Sequence, residues 1–208
     1  MDADWAEENL NTIRTLMERA SVYRLALAPV AMAVGLMGLV AAGGAQAWGR
    51  TGAEDFAAYW MAVAGAGLGL ALLMMRRQAM KAGEAFWSRP TRQVAQALAP
   101  MFVVGLGLGV LELVSVAQDR DSIRLIGLWM VLYGGAIHAA GFFMKRGLKL
   151  LGAFFVAVGL AGIIAHKITD IAWLTEANAH WVMGTVFGGG HLLYGLYLKV
   201  TAEPVDEE

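Results

Sequence analysis

The sequence predicts an all-α polytopic membrane protein with six transmembrane helices, arranged as three repeated helical hairpins, and with interfacial amphipathic helices beside them. Composition is the first reason. Of 208 residues, 58% are apolar and only 16% are charged, which leaves too little polar surface for a soluble globule. The second reason is a series of apolar segments of about the length that crosses a hydrocarbon core of ~30 Å. They cover residues 24–44, 56–75, 99–117, 123–144, 150–165 and 181–199.

Internal repetition is the third reason. The tripeptide Leu-Ala-Pro at 27–29, before the first segment, recurs at 98–100, before the third. The second and fourth segments align without a gap, and the sixth joins them more loosely. The aligned positions include Trp60 with Trp129, Gly65 with Gly134, Arg77 with Arg146, and then Gly134 with Gly188 and Gly141 with Gly195. The sequence therefore predicts three copies of one helical hairpin.

The chain divides into three parts around this unit. Residues 1–23 form the predicted N-terminal cytoplasmic amphipathic helix, because apolar residues recur there at intervals of three and four. A second interfacial segment is predicted at 78–98, divided into two short pieces by Pro90. Residues 24–199 form the six-helix transmembrane domain, and residues 200–208 form an acidic cytoplasmic tail.

The basic residues predict the topology. Twelve of the 16 lysines and arginines fall on one side of the six segments, and that side also holds both termini. Since the positive-inside bias places such residues in the cytoplasm, both ends of the chain are expected there. The longest outward connection is then 166–180, which contains His166, Glu176 and His180.

Three ionisable side chains inside the apolar segments are the candidates for a ligand or proton pathway. They are Glu112, His138 and His191, with His166 at the outer margin. Intramembrane ionisable groups are costly and usually face a bundle interior or water. At about 1.5 Å per residue the three lie at different depths, in the order Glu112, His191, His138 from the outer side. A staggered polar path would suit a proton or small solute, whereas separate interhelical hydrogen bonds would make the same residues structural.

The glycines favour close helix packing over a ligand cradle. The run Gly188, Gly189, Gly190 also predicts a local kink or unwinding beside His191, because each glycine weakens a helix by about 1 kcal/mol relative to alanine.

Several other chemistries find no support in the sequence. There is no cysteine, and no spacing typical of a metal site or of a hydrolytic centre. No catalytic residue, cofactor or metal site is therefore predicted, and a non-enzymatic protein is expected. A bis-histidine haem site formed by His138 and His191 is a weaker alternative, since their depths differ by about 7 Å.

Three stretches, 13–21, 127–134 and 190–195, resemble segments of an uncharacterised family of small bacterial six-helix integral membrane proteins with an N-terminal I-R-x-x-M-E-R segment. The resemblance implies a bacterial inner membrane location. It marks Glu18, Arg19, Trp129 and His191 as positions of interest and assigns no role to them.

Two functions remain open at this point. In the first, the protein binds or passes a small solute, proton or lipid at the interface of its repeats, through Glu112, His138 and His191. In the second, it is an interaction or sensor protein that recruits a cytoplasmic regulator or subunit through Glu18, Arg19, Arg76 and Arg77. The expected partners are the lipid bilayer, a second copy of the chain and a cytoplasmic protein, with no nucleic acid.

Overall fold

The computed structural model describes residues 27–49, 53–116, 120–143 and 147–201. This part of the chain consists of helices joined by short turns and contains no strand. The helices are α1 (Leu27–Ala47), α2 (Ala53–Lys81), α3 (Arg89–Val114), α4 (Ser122–Ala140), α5 (Gly147–Ile168), a 3-10 helix (Glu176–Asn178), α6 (Ala179–Met183), a π-helical segment (Gly184–Gly188) and α7 (Gly189–Val200).

Five of these helices are long and apolar enough to cross a membrane. They contain the stretches Leu27–Ala47, Asp55–Lys81, Thr91–Val114, Ser122–Ala140 and Gly147–Ile168. The all-α prediction is confirmed for the described residues, and the helices are compatible with a multi-pass membrane protein. The sixth predicted segment, 181–199, is helical as well, but the π-helical segment interrupts its α-helix.

The second interfacial helix, predicted at 78–98, does not form as a separate element. Residues 78–81 end α2, residues 82–88 form turns, and α3 then begins at Arg89. Pro90 lies in the first turn of α3, where the backbone N–H that proline lacks would have no intrahelical partner. Proline therefore starts this helix, where it was predicted to divide one. The predicted N-terminal helix, at 1–23, lies outside the described residues.

Glycines bring two pairs of helices into close contact. In the pair α4 and α5, a Cβ atom on Gly134 would lie 2.6 Å from the carbonyl oxygen of Gly152. In the pair formed by α1 and the π-helical segment, a Cβ atom on Gly188 would lie 2.7 Å from the carbonyl oxygen of Gly35. No side chain fits at these positions, so the packing predicted from glycine holds here.

The glycines of α2 and α3 do not all behave in this way. A Cβ atom on Gly65, Gly69 or Gly107 would meet nothing within 4 Å. Large apolar side chains on the same helices are exposed, among them Leu72, Leu106 and Val114. The best-packed part of the described bundle thus lies around α4, α5 and the C-terminal helical run, and this part holds the buried histidines.

Candidate functional site

His191 lies in the first turns of α7 and is almost completely buried, with 4% of its surface exposed. Its Nε2 atom lies 2.7 Å from the hydroxyl oxygen of Tyr133, which is on α4. Its Nδ1 atom lies 2.8 Å from the carbonyl oxygen of Phe187, four residues earlier in the chain. Both ring nitrogens are therefore engaged, one across helices and one within the helical run.

These partners determine the tautomer of the neutral ring. A carbonyl oxygen can only accept a hydrogen bond, so Nδ1 of His191 carries the hydrogen and donates it to Phe187. The lone pair of Nε2 is then free to accept, and the Tyr133 hydroxyl donates to it. Tyr133 thus holds His191 in place from a different helix.

The π-helical segment, Gly184–Gly188, ends three residues before His191. A π turn bonds each carbonyl to the N–H five residues later and leaves the backbone pattern displaced by one residue. The His191 side chain bonds to the carbonyl of Phe187, which belongs to this segment. The predicted distortion beside His191 is therefore a widened helix and not an unwound one, and the histidine is attached to it.

Aromatic rings surround the pair. The centroids of the rings of Phe187 and Phe155 lie 4.3 Å and 5.2 Å from the imidazole of His191, and Phe155 is fully buried. Tyr133 packs edge-on against Phe155 at 5.4 Å and stacks with Phe102 at 6.1 Å. The polar pair is thus enclosed by apolar rings contributed by α3, α5 and the π-helical segment.

A second buried histidine, His180, belongs to α6 and has 1% of its surface exposed. The sequence pattern predicted an external loop at this position, within the connection 166–180. Its Nδ1 atom accepts a hydrogen bond of 3.1 Å from the indole N–H of Trp60 on α2. The rings of Phe56 and Tyr59 pack beside it, with centroids 5.1 Å and 5.4 Å away. The sequence signal that could have identified this site is the group of three aromatic residues on α2, Phe56, Tyr59 and Trp60. The indole N–H of a buried tryptophan usually has a hydrogen-bond acceptor.

Glu112 is buried near the end of α3, where it caps the next helix. Its Oε1 atom accepts a 2.7 Å hydrogen bond from the backbone N–H of Asp121. At the same helix end, Glu176 accepts from the N–H of Ser122 at 2.8 Å, and the Asp121 side chain accepts from the N–H of Arg124 at 2.8 Å. Three carboxylates thus satisfy N–H groups that the start of α4 leaves without helical partners.

His138 joins the ends of α4 and α5. Its Nδ1 atom donates to the carbonyl oxygen of Lys149 at 3.0 Å, and its ring meets the edge of Phe142. The ammonium group of Lys149 lies 3.7 Å from the centroid of the Phe142 ring. Glu112, His138 and His191 therefore have separate hydrogen-bond partners, and none of the described contacts links two of the three.

The residues proposed for partner docking fall in two places. Arg76 and Arg77 are exposed in the last turns of α2. Glu18 and Arg19 lie outside the described residues.

Trp129, which the family resemblance marked, donates its indole N–H to the carbonyl oxygen of Gly105 at 2.8 Å and so connects α4 to α3.

Within the described ranges, no group of three or more His, Cys, Asp or Glu side chains could hold a metal ion. No protein-family model, no curated protein and no solved structure matches this chain. The resemblance to a bacterial six-helix family therefore stays a prediction, and any function has to be argued from the geometry.

Proposed function

We propose that this chain is a non-enzymatic integral membrane protein that binds or passes a small solute, proton or lipid at the interface of its helical repeats. The Tyr133 and His191 pair is the proposed site. The observation that carries the proposal is the 2.7 Å hydrogen bond between these two side chains, buried among aromatic rings and beside a π-helical segment. Such segments occur frequently at functional sites.

Six membrane-spanning helices are part of the proposal. The helical run from 179 to 200 is about 33 Å long, which is enough for a hydrocarbon core of about 30 Å. Its π-helical segment widens the run without ending it. With six crossings, the bias of basic residues favours a bacterial inner membrane protein with both termini in the cytoplasm.

The glycine contacts support three repeated hairpins. Gly134 and Gly188 align in the sequence repeat, and each packs against a glycine of a neighbouring helix, Gly152 and Gly35 respectively. The next aligned pair, Gly141 and Gly195, packs against the same neighbouring helices: each meets a residue three positions before the glycine partner, Lys149 and Met32 respectively. Matching positions thus make matching contacts. Tyr133 belongs to the second proposed hairpin and His191 to the third, so the site lies where two repeats meet.

Of the three possible ligands, the geometry favours a proton. A tyrosine hydroxyl both donates and accepts hydrogen bonds. If His191 becomes an imidazolium, Nε2 donates to the Tyr133 oxygen, while Nδ1 still donates to the Phe187 carbonyl. Both hydrogen bonds therefore survive protonation. Because the described contacts of the ring include no carboxylate, the charged form is costly, which suits a transient relay more than a permanent charge.

Glu112 and His138 have no direct part in the proposed proton relay. The capping contact of Glu112 and the helix-joining contact of His138 account for both residues as structural elements. The proposal therefore rests on His191. A haem bound by His138 and His191 is disfavoured, because Phe187 and Tyr133 already occupy both ring nitrogens of His191.

The test compares His191→Gln with His180→Gln, since both replace a buried histidine of the same helical run. Each purified variant is reconstituted in vesicles that contain a pH-sensitive dye, and proton entry is followed under an imposed potential. We expect His191→Gln to slow proton entry by roughly tenfold or more, because the glutamine amide cannot take up the proton that the imidazole carries in the proposed relay. His180→Gln should retain the wild-type rate if it folds.

Native mass spectrometry of the same samples tests the other two ligands. A small solute or lipid that is retained by the wild type and lost in His191→Gln would move the proposal from a proton to that molecule. If the wild type neither passes protons nor retains a ligand, the proposed function is wrong.

A further inference from the structure

We propose that the end of the bundle where α2 stops and α3 begins binds the headgroups of anionic phospholipids. We call this surface the basic turn, and it consists of Arg76, Arg77, Met80, Lys81, Trp87 and Arg92. The inference does not depend on the His191 site.

Helix length places the basic turn at headgroup level. α2 has 29 residues and is about 43 Å long, and α3 has 26 residues and is about 39 Å long. A hydrocarbon core of about 30 Å cannot hold the full length of either helix. In α2, the stretch from Phe56 to Met75 contains no charged residue and fills that thickness. Arg76 and Arg77 therefore stand where the hydrocarbon ends.

The charge of the basic turn is strongly positive. Arg76, Arg77, Lys81 and Arg92 all have exposed side chains, and they come from the end of one helix and the start of the next. Glu84, which is partly buried, is the only acidic residue between 76 and 92. Guanidinium groups bind phosphate oxygens with paired hydrogen bonds, and each basic residue near an anionic surface adds to the attraction.

Apolar side chains lie among these charges. Met80 and Trp87 are 62% and 59% exposed, and the Trp87 ring is 6.2 Å from that of Phe86. Gly83 has a φ of +66°, a left-handed conformation that favours glycine and turns the chain sharply out of α2. Exposed apolar rings next to basic groups suit the boundary between lipid tails and headgroups, where tryptophan is enriched. This combination favours lipid headgroups over a soluble protein as the occupant.

The test is a lipid titration of the full chain in detergent, followed by native mass spectrometry with phosphatidylglycerol and, separately, phosphatidylcholine. The variant Arg76→Gln/Arg77→Gln removes two charges from the basic turn. Its matched control, Arg124→Gln/Lys167→Gln, removes two exposed charges at the opposite end of the helices, from the first turn of α4 and the last turn of α5. Because glutamine and arginine have similar helix propensities, the substitutions should not alter the helices. Helix content and melting temperature are measured for both variants to check this.

We expect the wild type to bind phosphatidylglycerol more tightly than phosphatidylcholine. The variant in the basic turn should lose affinity for phosphatidylglycerol by about fivefold for each charge removed, while the control retains it. Equal binding of the two lipids by the wild type would overturn the proposal, and so would an equal loss in the control. A soluble protein captured through Arg76 and Arg77, without any preference for phosphatidylglycerol, would also overturn it.

Discussion

The two buried histidines of the C-terminal helical run, His180 and His191, have partners of different chemistry. Trp60 holds His180 through an indole N–H, which can only donate a hydrogen bond. Tyr133 holds His191 through a hydroxyl, which can donate or accept. Protonation of Nδ1 would break the bond between His180 and Trp60, whereas protonation of Nε2 would only reverse the bond between His191 and Tyr133. Burial is nearly equal, at 1% and 4% exposed, so the partner and not the burial distinguishes the two sites.

The two histidine sites should nevertheless contribute equally to the free energy of unfolding. Truncating a buried ring at either site has the largest expected effect. Phe155 and Phe56 are the fully buried rings beside His191 and His180. We expect Phe155→Ala and Phe56→Ala each to lower the free energy of unfolding by about 3–5 kcal/mol, because each leaves a cavity in a packed core. Unfolding of both variants in the same detergent provides the measurement. A loss of stability in only one of the two variants would contradict the equal contribution of the two histidine sites.

A smaller effect tests how tightly the helix around His191 is held. Gly188 and Gly189 are neighbours, but a Cβ atom on Gly188 would lie 2.7 Å from the Gly35 oxygen, while one on Gly189 would meet nothing within 4 Å. Gly188→Ala should destabilise the protein by about 1–3 kcal/mol, since α1 has to move. Gly189→Ala should be neutral or should stabilise by up to about 1 kcal/mol, because alanine favours the helix. Melting temperatures of the pair decide this, and shifts of the same sign would contradict the close contact between α1 and the π-helical segment.

Much of the helical architecture of the described residues could be predicted from hydropathy. All six apolar segments are helical over most of their described length, and His191 was identified from its place inside an apolar helix after three glycines. The lengths of α2 and α3 were underestimated, because the charged residues at their ends were assigned to an interfacial element. Pro90 added to this error, since its effect depends on whether it starts a helix or interrupts one.

The candidate site was less predictable, because it depends on residues distant in sequence. His180 is separated from Trp60 by 120 positions, and Tyr133 from His191 by 58. Counting residues gives the depth of a side chain but not the direction in which it points. Glu112 illustrates the limit: its depth suggested a pathway, yet its carboxylate binds the start of the next helix at Asp121. Which polar groups meet is decided by helix rotation and packing, and the sequence pattern does not contain this information.

The most direct test of the Tyr133 and His191 pair compares two variants, each of which removes one tyrosine hydroxyl beside a buried histidine. Tyr133→Phe deletes the hydroxyl that binds His191, and Tyr59→Phe deletes the hydroxyl that donates to the Ala41 carbonyl oxygen at 2.6 Å, beside His180. Both tyrosines are partly buried, so the two variants are a matched pair. If the proposed relay exists, Tyr133→Phe should slow proton entry into vesicles by roughly tenfold, because it removes one buried hydrogen bond from the pair. Tyr59→Phe should retain the wild-type rate. Equal rates in the two variants would contradict the assignment of function to this pair.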